Sequence, residues 1–204
     1  MNISVQLFDP TSDPETVAGI VSCYQQAFGG APWNEGYRCP RPECGKIFPL
    51  SEPGPLCPSC IAEGNAVQLV EFWPAEKVAS DFACEMKKPG ALCFVAKDED
   101  RVVGFIWGYR IVIDEHIDDY LESPGLSRLI SGTFFYIDDV AVAPKYQGRG
   151  IGKELVARVL HESAGRNILA RTLDQSRMFH ILERLHGKTV LRITRDRVIM
   201  AVSL

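Results

Sequence analysis

Val140 to Glu154 reads Val-Ala-Val-Ala-Pro-Lys-Tyr-Gln-Gly-Arg-Gly-Ile-Gly-Lys-Glu, an apolar strand that passes through a glycine-rich turn into an amphipathic helix. Gly148, Gly150 and Gly152 remove side chains where a main chain must curl around a ligand. The helix that follows aims unpaired N–H groups and its positive dipole end at the same spot. The segment is an anion cradle, and a pyrophosphate fits it.

Other phosphate-binding loops are excluded by their spacing. Counted from Gly148, a dinucleotide fingerprint needs its third glycine where Lys153 stands. A P-loop ending at Gly152-Lys153 needs glycine at 147 and a hydroxyl residue at 154, but the chain has Gln147 and Glu154. What remains is Gln-x-x-Gly-x-Gly, met by Gln147, Gly150 and Gly152. On this motif the chain resembles the GNAT superfamily of N-acetyltransferases, whose coenzyme A pyrophosphate lies on such a loop.

The resemblance implies acetyl-CoA as co-substrate and an amine acceptor. It assigns coenzyme contacts to the main chain of Val140, Ala141 and Val142, and to Gln147, Gly148, Arg149, Gly150, Ile151, Gly152 and Lys153. Ser176 stands where the family often has an Asn against the coenzyme. A primary amine is almost wholly protonated at neutral pH, so transfer needs a base. The resemblance points to Asp138, where several members carry an acidic base, with Asp139 beside it. One departure stands out. Aligning the family's Leu-Tyr-Glu-Lys-Leu pattern on Ile181 to Leu185 puts Leu182 where a Tyr often protonates the leaving thiolate. Water or His180 is then the substitute acid, although a thiolate with pKa near 8.5 leaves without strong help. The departure also leaves open a second reading, an acyl-CoA-binding interaction module with little transferase activity.

The residues themselves support chemistry at the aspartates. Phe134 to Val142 is the most apolar strand, interrupted only by Asp138-Asp139, and an ionised carboxylate without partners there costs several kcal/mol. Strict alternation puts Asp138 on the face of Tyr136 and Val140, and Asp139 on the opposite one.

Four of the seven cysteines form two close pairs, Cys39 with Cys44 and Cys57 with Cys60, among bends supplied by Pro40, Pro42, Gly45, Pro58 and Ser59. In a reducing compartment this spacing indicates a four-thiolate structural Zn2+ site with no open position for chemistry. Cys23, Cys84 and Cys93 stand alone among apolar neighbours and are expected in the core.

The 204 residues, 46% of them hydrophobic, suit one domain over 1–204 with a zinc-ribbon insertion at 37–64. The elements run strand, two helices, three strands, helix, strand, helix and two strands. This is an α+β chain whose resemblance implies a central mixed, mostly antiparallel sheet flanked by helices. Helices are expected from Asp13-Pro14 to Phe28, through Val78, Phe82 and Met86, from the glycine loop to Gly165, and over Ser176 to His186. Asp114 to Ser131 is an acidic connector, read either as a solvated face or as a lip attracting an amine.

A net charge of -4 argues against nucleic acid, and in the ribbon Arg38, Arg41 and Lys46 are balanced by Glu43, Glu52 and Glu63. A cationic acceptor is expected instead, with the ribbon as lid, acceptor platform or homodimer contact. Apolar stretches such as Val102 to Ile113 are broken well short of a membrane span, and the cytoplasm is the expected location.

Overall fold

A long hairpin frames the molecule: β5 (Leu92–Asp98) turns at Glu99, whose φ is 55°, into β6 (Arg101–Ile113). The coordinates are those of a computed structural model and describe residues 3–11, 13–51, 54–163 and 167–203. Gly165, the expected end of the helix after the glycine loop, and Glu52 in the insertion lie outside the described residues. Around the hairpin assemble β1 (Ile3–Leu7), β7 (Gly132–Val142), β8 (Asn167–Leu173), β9 (Lys188–Arg192) and β10 (Arg197–Val202), in the order β1-β5-β6-β7-β8-β10-β9. Every neighbouring pair is antiparallel except β7 and β8. Those two are joined through a helix, the connection a parallel pair requires.

Helices cover both faces. On one, α5 (Ile151–Glu162) and α6 (Arg177–Arg184) pack Leu155, Val156, Val159 and Leu182 against Val103, Ile106, Phe135 and Ile137. Each such apolar side chain contributes roughly 1.5–3 kcal/mol on burial. On the other, α1 (Pro14–Phe28) and α3 (Ala75–Glu85) bury Ile20, Tyr24, Val78 and Phe82 against Phe105 and Trp107. Asp13 starts α1 as its sequence suggests, accepting from the N–H groups of Glu15 and Thr16 at 3.0 and 3.2 Å, with Pro14 in the first turn. The acidic connector folds into α4 (Ile117–Tyr120) and one 3-10 turn, tied by Asp118, which accepts from Gly125 N at 2.6 Å and Ser127 N at 2.7 Å.

Between α1 and α3 the chain builds a small separate sheet from β2 (Tyr37–Arg38), β3 (Ile47–Phe48) and β4 (Val70–Glu71), in the order β3-β2-β4, with α2 (Pro58–Ala62) beside it. β4 follows Gly64 and pairs directly with β2, Tyr37 opposite Glu71. Cys23 and Cys93 are buried as expected, whereas Cys84 is exposed because α3 turns that position away from its apolar stripe of Val78 and Phe82. Among the described residues, no helix is long and apolar enough to cross a membrane.

Candidate active site

β7 and β8 pair only from Phe134–Asn167 to Ile137–Ala170, yet β7 continues to Val142 and β8 to Leu173. Beyond Ile137 the two strands diverge, and the sheet splits at their carboxyl ends. On its other edge β7 stays paired with β6 as far as Val142. Main-chain groups of residues 138–142 that point towards β8 therefore have no strand to meet. A cavity of about 550 Å³ fills the split, lined by Asp138 to Val142 on one side and Ala170, Arg171, Thr172 and Ser176 on the other.

The glycine loop closes one end of this cleft. Gly148 and Gly150 adopt φ of +79° and +85°, the left-handed region open mainly to glycine. Gly150 caps α5 with no side chain to offer, so the first-turn N–H groups receive no acceptor from the cap. Gly152 has an ordinary backbone, and a Cβ there would meet only ordinary contacts, 3.5 Å from Ile181 and 3.8 Å from Val142. Gln147 acts as a staple, its amide donating to the Val142 carbonyl at 3.0 Å. Gly148, Gly150, Ile151, Gly152 and Lys153 line the cleft. Arg149 instead donates to the Lys145 carbonyl at 3.1 Å and lies over the Tyr146 ring. Arg177 and Arg184 also line the cleft, cations that the sequence motif does not include.

The aspartates depart from the alternation expected of them. Trp107 pairs with Asp139 but the next residue, Gly108, pairs with Ile137, which leaves Asp138 as the extra residue of a β-bulge. Tyr136 and Val140 consequently face opposite sides of the sheet, Tyr136 in the cluster under the connector and Val140 against the α5 cluster. The expected separation of Asp138 from Asp139 onto two faces is thereby corrected. Both aspartates line a second cavity, of about 330 Å³, on the α1/α3 side, and both also line the larger cleft of about 550 Å³. They form the partition where the two cavities meet.

The second cavity is acidic and aromatic. Glu35, Asp81 and Glu85 join the two aspartates, while Tyr24, Phe28, Trp33, Phe72, Trp73, Trp107 and Tyr136 supply the rings and Arg171 and Arg197 the positive charge. Glu35 and Glu85 come from a loop and a helix far from the strand motif and were missed in the sequence, where nothing distinguishes them from surface acids. Trp73 Nε1 donates to Glu35 at 3.0 Å. Trp107 Nε1 donates to Glu85 at 2.8 Å and lies 3.3 Å from Asp138. Burial, and then the negative charges of Asp138, Glu85 and Glu35, hold the Asp139 carboxyl well above the usual range, against the pull of Arg171. Burial followed by the hydrogen bond and charge of Asp138 pushes Glu85 up to about 8. Burial also raises Glu35, opposed by Trp73 and Arg197. The connector carboxylates Asp114, Glu115, Asp118, Asp119 and Glu122 line neither cavity.

Leu182, at the position of the family's frequent Tyr, is fully buried in the core cluster. Ser176 is buried beside the cleft with its hydroxyl engaged, accepting from Phe179 N at 3.1 Å and meeting Thr172 Oγ1 at 2.7 Å. His180 lines the cleft and contacts Glu183 at 3.1 Å through an exposed side chain.

In the ribbon, Cys39, Cys44, Cys57 and Cys60 converge, all four sulfurs within 4.8 Å of one another. Cys39–Cys60 and Cys44–Cys57 are 3.6 and 3.7 Å apart. These are far beyond a disulfide and close to the edge of about 3.8 Å expected for a tetrahedron with Zn–S of about 2.3 Å. Arg41 Nη1 lies 3.8 Å from Cys60 Sγ, a cation beside the sulfur cluster. The donor set therefore fits one tetrahedral ion with every position filled by sulfur.

A sheet split between parallel strands, a glycine loop capping the helix between them and paired carboxylates at the junction define an acyl-transfer architecture. Residues 60–187 match the acetyltransferase (GNAT) family, and the chain belongs to that family. The fold is shared with PH1933 from Pyrococcus horikoshii, at 18% identity and a TM-score of 0.60 over 100% of this chain and 99% of that one. It is shared with a histone acetyltransferase HPA2 and related acetyltransferase from Corynebacterium glutamicum, at 16% identity and TM-score 0.58 over 100% and 97%. The PaiA N-acetyltransferase of Thermoplasma acidophilum, in complex with coenzyme A, gives 13% identity and TM-score 0.52 over 100% of both chains. No curated protein matches the sequence.

Proposed function

We propose that this protein transfers the acetyl group of acetyl-CoA to a primary amine of a cationic small molecule or peptide. The observation that carries the reading is the junction of two cavities at Asp138 and Asp139, one suited to the coenzyme and one acidic and aromatic. The coenzyme pyrophosphate lies on the first-turn N–H groups of α5 at Gly150, Ile151 and Gly152, with Lys153 and Arg177 adding charge. That the structure of the Thermoplasma relative holds coenzyme A supports this. The thioester lies along 140–142, whose unpaired main-chain donors stabilise the developing oxyanion. The acceptor ammonium enters from the α1/α3 side, where carboxylates favour its charge and aromatic rings favour cations over their faces. Asp138 takes its proton as general base. Nitrogen attacks the carbonyl, and the thiolate leaves without a tyrosine acid, since Leu182 occupies that place. Ser176 stands in the cleft wall with its hydroxyl oxygen accepting from Phe179 N, where its remaining hydrogen-bonding capacity serves the coenzyme.

We further propose that Cys39, Cys44, Cys57 and Cys60 hold a structural Zn2+ in the reducing cytoplasm. The ribbon over 37–64 then serves as the acceptor platform. Leu50 N donates to Gly29 O at 2.8 Å and Gly36 N to Phe48 O at 2.9 Å, so the ribbon braces both ends of the strip bearing Trp33 and Glu35. Acceptor-dependent thiol release from acetyl-CoA, measured across polyamines, aminoglycosides, amino acids and peptides, tests the function. Strong release with cationic amines is expected; coenzyme binding without release by any acceptor supports the interaction-module reading instead.

A further inference from the structure

Glu85 sits at the end of α3 and lines the same cavity as Asp138 on the bulge of β7. The indole N–H of Trp107 donates to Glu85 at 2.8 Å and lies 3.3 Å from Asp138. The two carboxyl groups therefore converge on one indole N–H, and two carboxyls that meet directly need a proton on one of them. Glu85 lines only the acceptor cavity, whereas Asp138 lines both. Asp138 is thus the member next to the reacting atoms, and Glu85 stands behind it.

We propose that Glu85 and Asp138 act as one proton-sharing pair, in which Asp138 takes the proton of the acceptor ammonium and Glu85, a positioning and storage residue, retains it. The proposal rests on the acetyltransferase reading. With both carboxyls ionised, R–NH3+ gives one proton to Asp138, and the hydrogen bond that this proton makes between the two groups lets Glu85 hold it. The free nitrogen lone pair then forms the C–N bond, and the C–S electrons leave with sulfur. Nitrogen's second proton goes to the thiolate, and the shared proton leaves to water through the cavity mouth. The products are the amide, coenzyme A thiol and one proton.

A second carboxyl matters because an isolated carboxylate lies about six pH units below an alkyl ammonium, too weak a base for the task. Sharing one proton between two adjacent carboxyls raises the affinity of the pair. Burial and Asp138 together push Glu85 up to about 8, which reduces that gap to between about two and three units. Other charged groups act on the pair. Lys88 Nζ, 3.8 Å from Glu85, opposes the rise, as it is also held by the Tyr120 hydroxyl at 2.5 Å and over the Tyr109 ring at 3.9 Å. From β8 and β10, Arg171 and Arg197 face the same cavity; Asp81, Glu35 and Asp139 are its other acidic groups, and the buried Tyr24, Tyr109 and Tyr136 stay neutral.

Carboxyl-carbon NMR on coenzyme-free protein labelled at Glu and Asp tests the pair directly. Glu85 is expected to titrate near 8 and to fall by more than one pH unit in Asp138→Asn. A Glu85 titration in the usual carboxylate range, or one unmoved by Asp138→Asn, overturns the pair. The kcat/KM profile then tests its use: an ascending limb near 8 is expected in the wild type, kept in Glu85→Asp and lost in Glu85→Gln. A wild-type profile in Glu85→Gln overturns the catalytic role even where the NMR shows the pair. Absence of thiol release with every amine defeats the acetyltransferase reading, and the NMR titration separates that failure from a failure of the pair.

Discussion

Gly108 and Tyr136 approach so closely across β6 and β7 that a Cβ added to Gly108 would lie 2.2 Å from the Tyr136 carbonyl oxygen and 2.6 Å from the Phe135 ring. The contact sits at the register shift that expels Asp138 from the ladder. Only a residue without a side chain lets β6 run flush against the bulge.

Gly108→Ala is therefore expected to cost about 1–3 kcal/mol through overpacking at main-chain atoms that cannot move aside cheaply. Calorimetry should show a melting temperature lower by roughly 2–4 °C for each kcal/mol. Turnover should fall further than stability, because the bulge aims the aspartates. An unchanged melting temperature would contradict the geometry.

At the glycine loop the effect is conformational. No atom lies within 4 Å of a Cβ built on Gly150, yet its φ is +85°. Gly150→Val meets no clash but must strain or abandon that conformation, at a cost of about 1–3 kcal/mol. Calorimetric affinity for acetyl-CoA should fall at least about tenfold, the equivalent of 1.4 kcal/mol, in protein that still folds.

Asp138→Asn removes the proposed base without altering shape. Turnover with the best amine should drop by roughly 10²–10⁴-fold, with acetyl-CoA affinity unchanged. Undiminished turnover across pH would remove Asp138 from that role.

The ribbon predicts a separable effect. Protein purified without chelator should carry roughly one zinc per chain, and Cys57→Ser should lose it. Because Trp73 and Glu35 form one hydrogen-bonded wall at the ribbon's exit, metal loss should change tryptophan emission and raise the acceptor KM. Coenzyme affinity should change less than acceptor KM, since the glycine loop lies outside the ribbon even though Trp33 lines both cavities.

The pH dependence of stability carries a definite sign. Glu85 is raised from the usual carboxylate value to about 8, so the folded protein binds its proton more tightly than the unfolded chain does. Below the unfolded value both states are protonated and the stabilisation is complete; it is lost as pH rises through about 8. The melting-temperature advantage of Glu85→Gln over wild type should grow across that window and then level off. Asp139 and Glu35, also raised, contribute slopes of the same sign that remain in the variant.

How much of the site was legible follows from how local each part is. Gln147, Gly148, Gly150 and Gly152 declare a glycine loop opening a helix because loop and helix start are contiguous. The four cysteines declare a ligand set because each pair spans a single turn. Glu35 and Glu85 carry no such mark: Glu85 is one acid near the end of an amphipathic helix until packing brings it against Trp107. The bulge is equally silent, since Tyr-Ile-Asp-Asp-Val reads as regular alternation and only pairing with β6 reveals the extra residue.

The amino-acid order by itself determined the elements, the glycine loop at the start of α5 and the sulfur cluster, all products of short-range spacing and backbone preference. The tertiary structure decided which carboxylates share the α1/α3 cavity, and that both aspartates line it. Those outcomes depend on strand register and on helices packing across the sheet, which are contacts between residues distant in the chain.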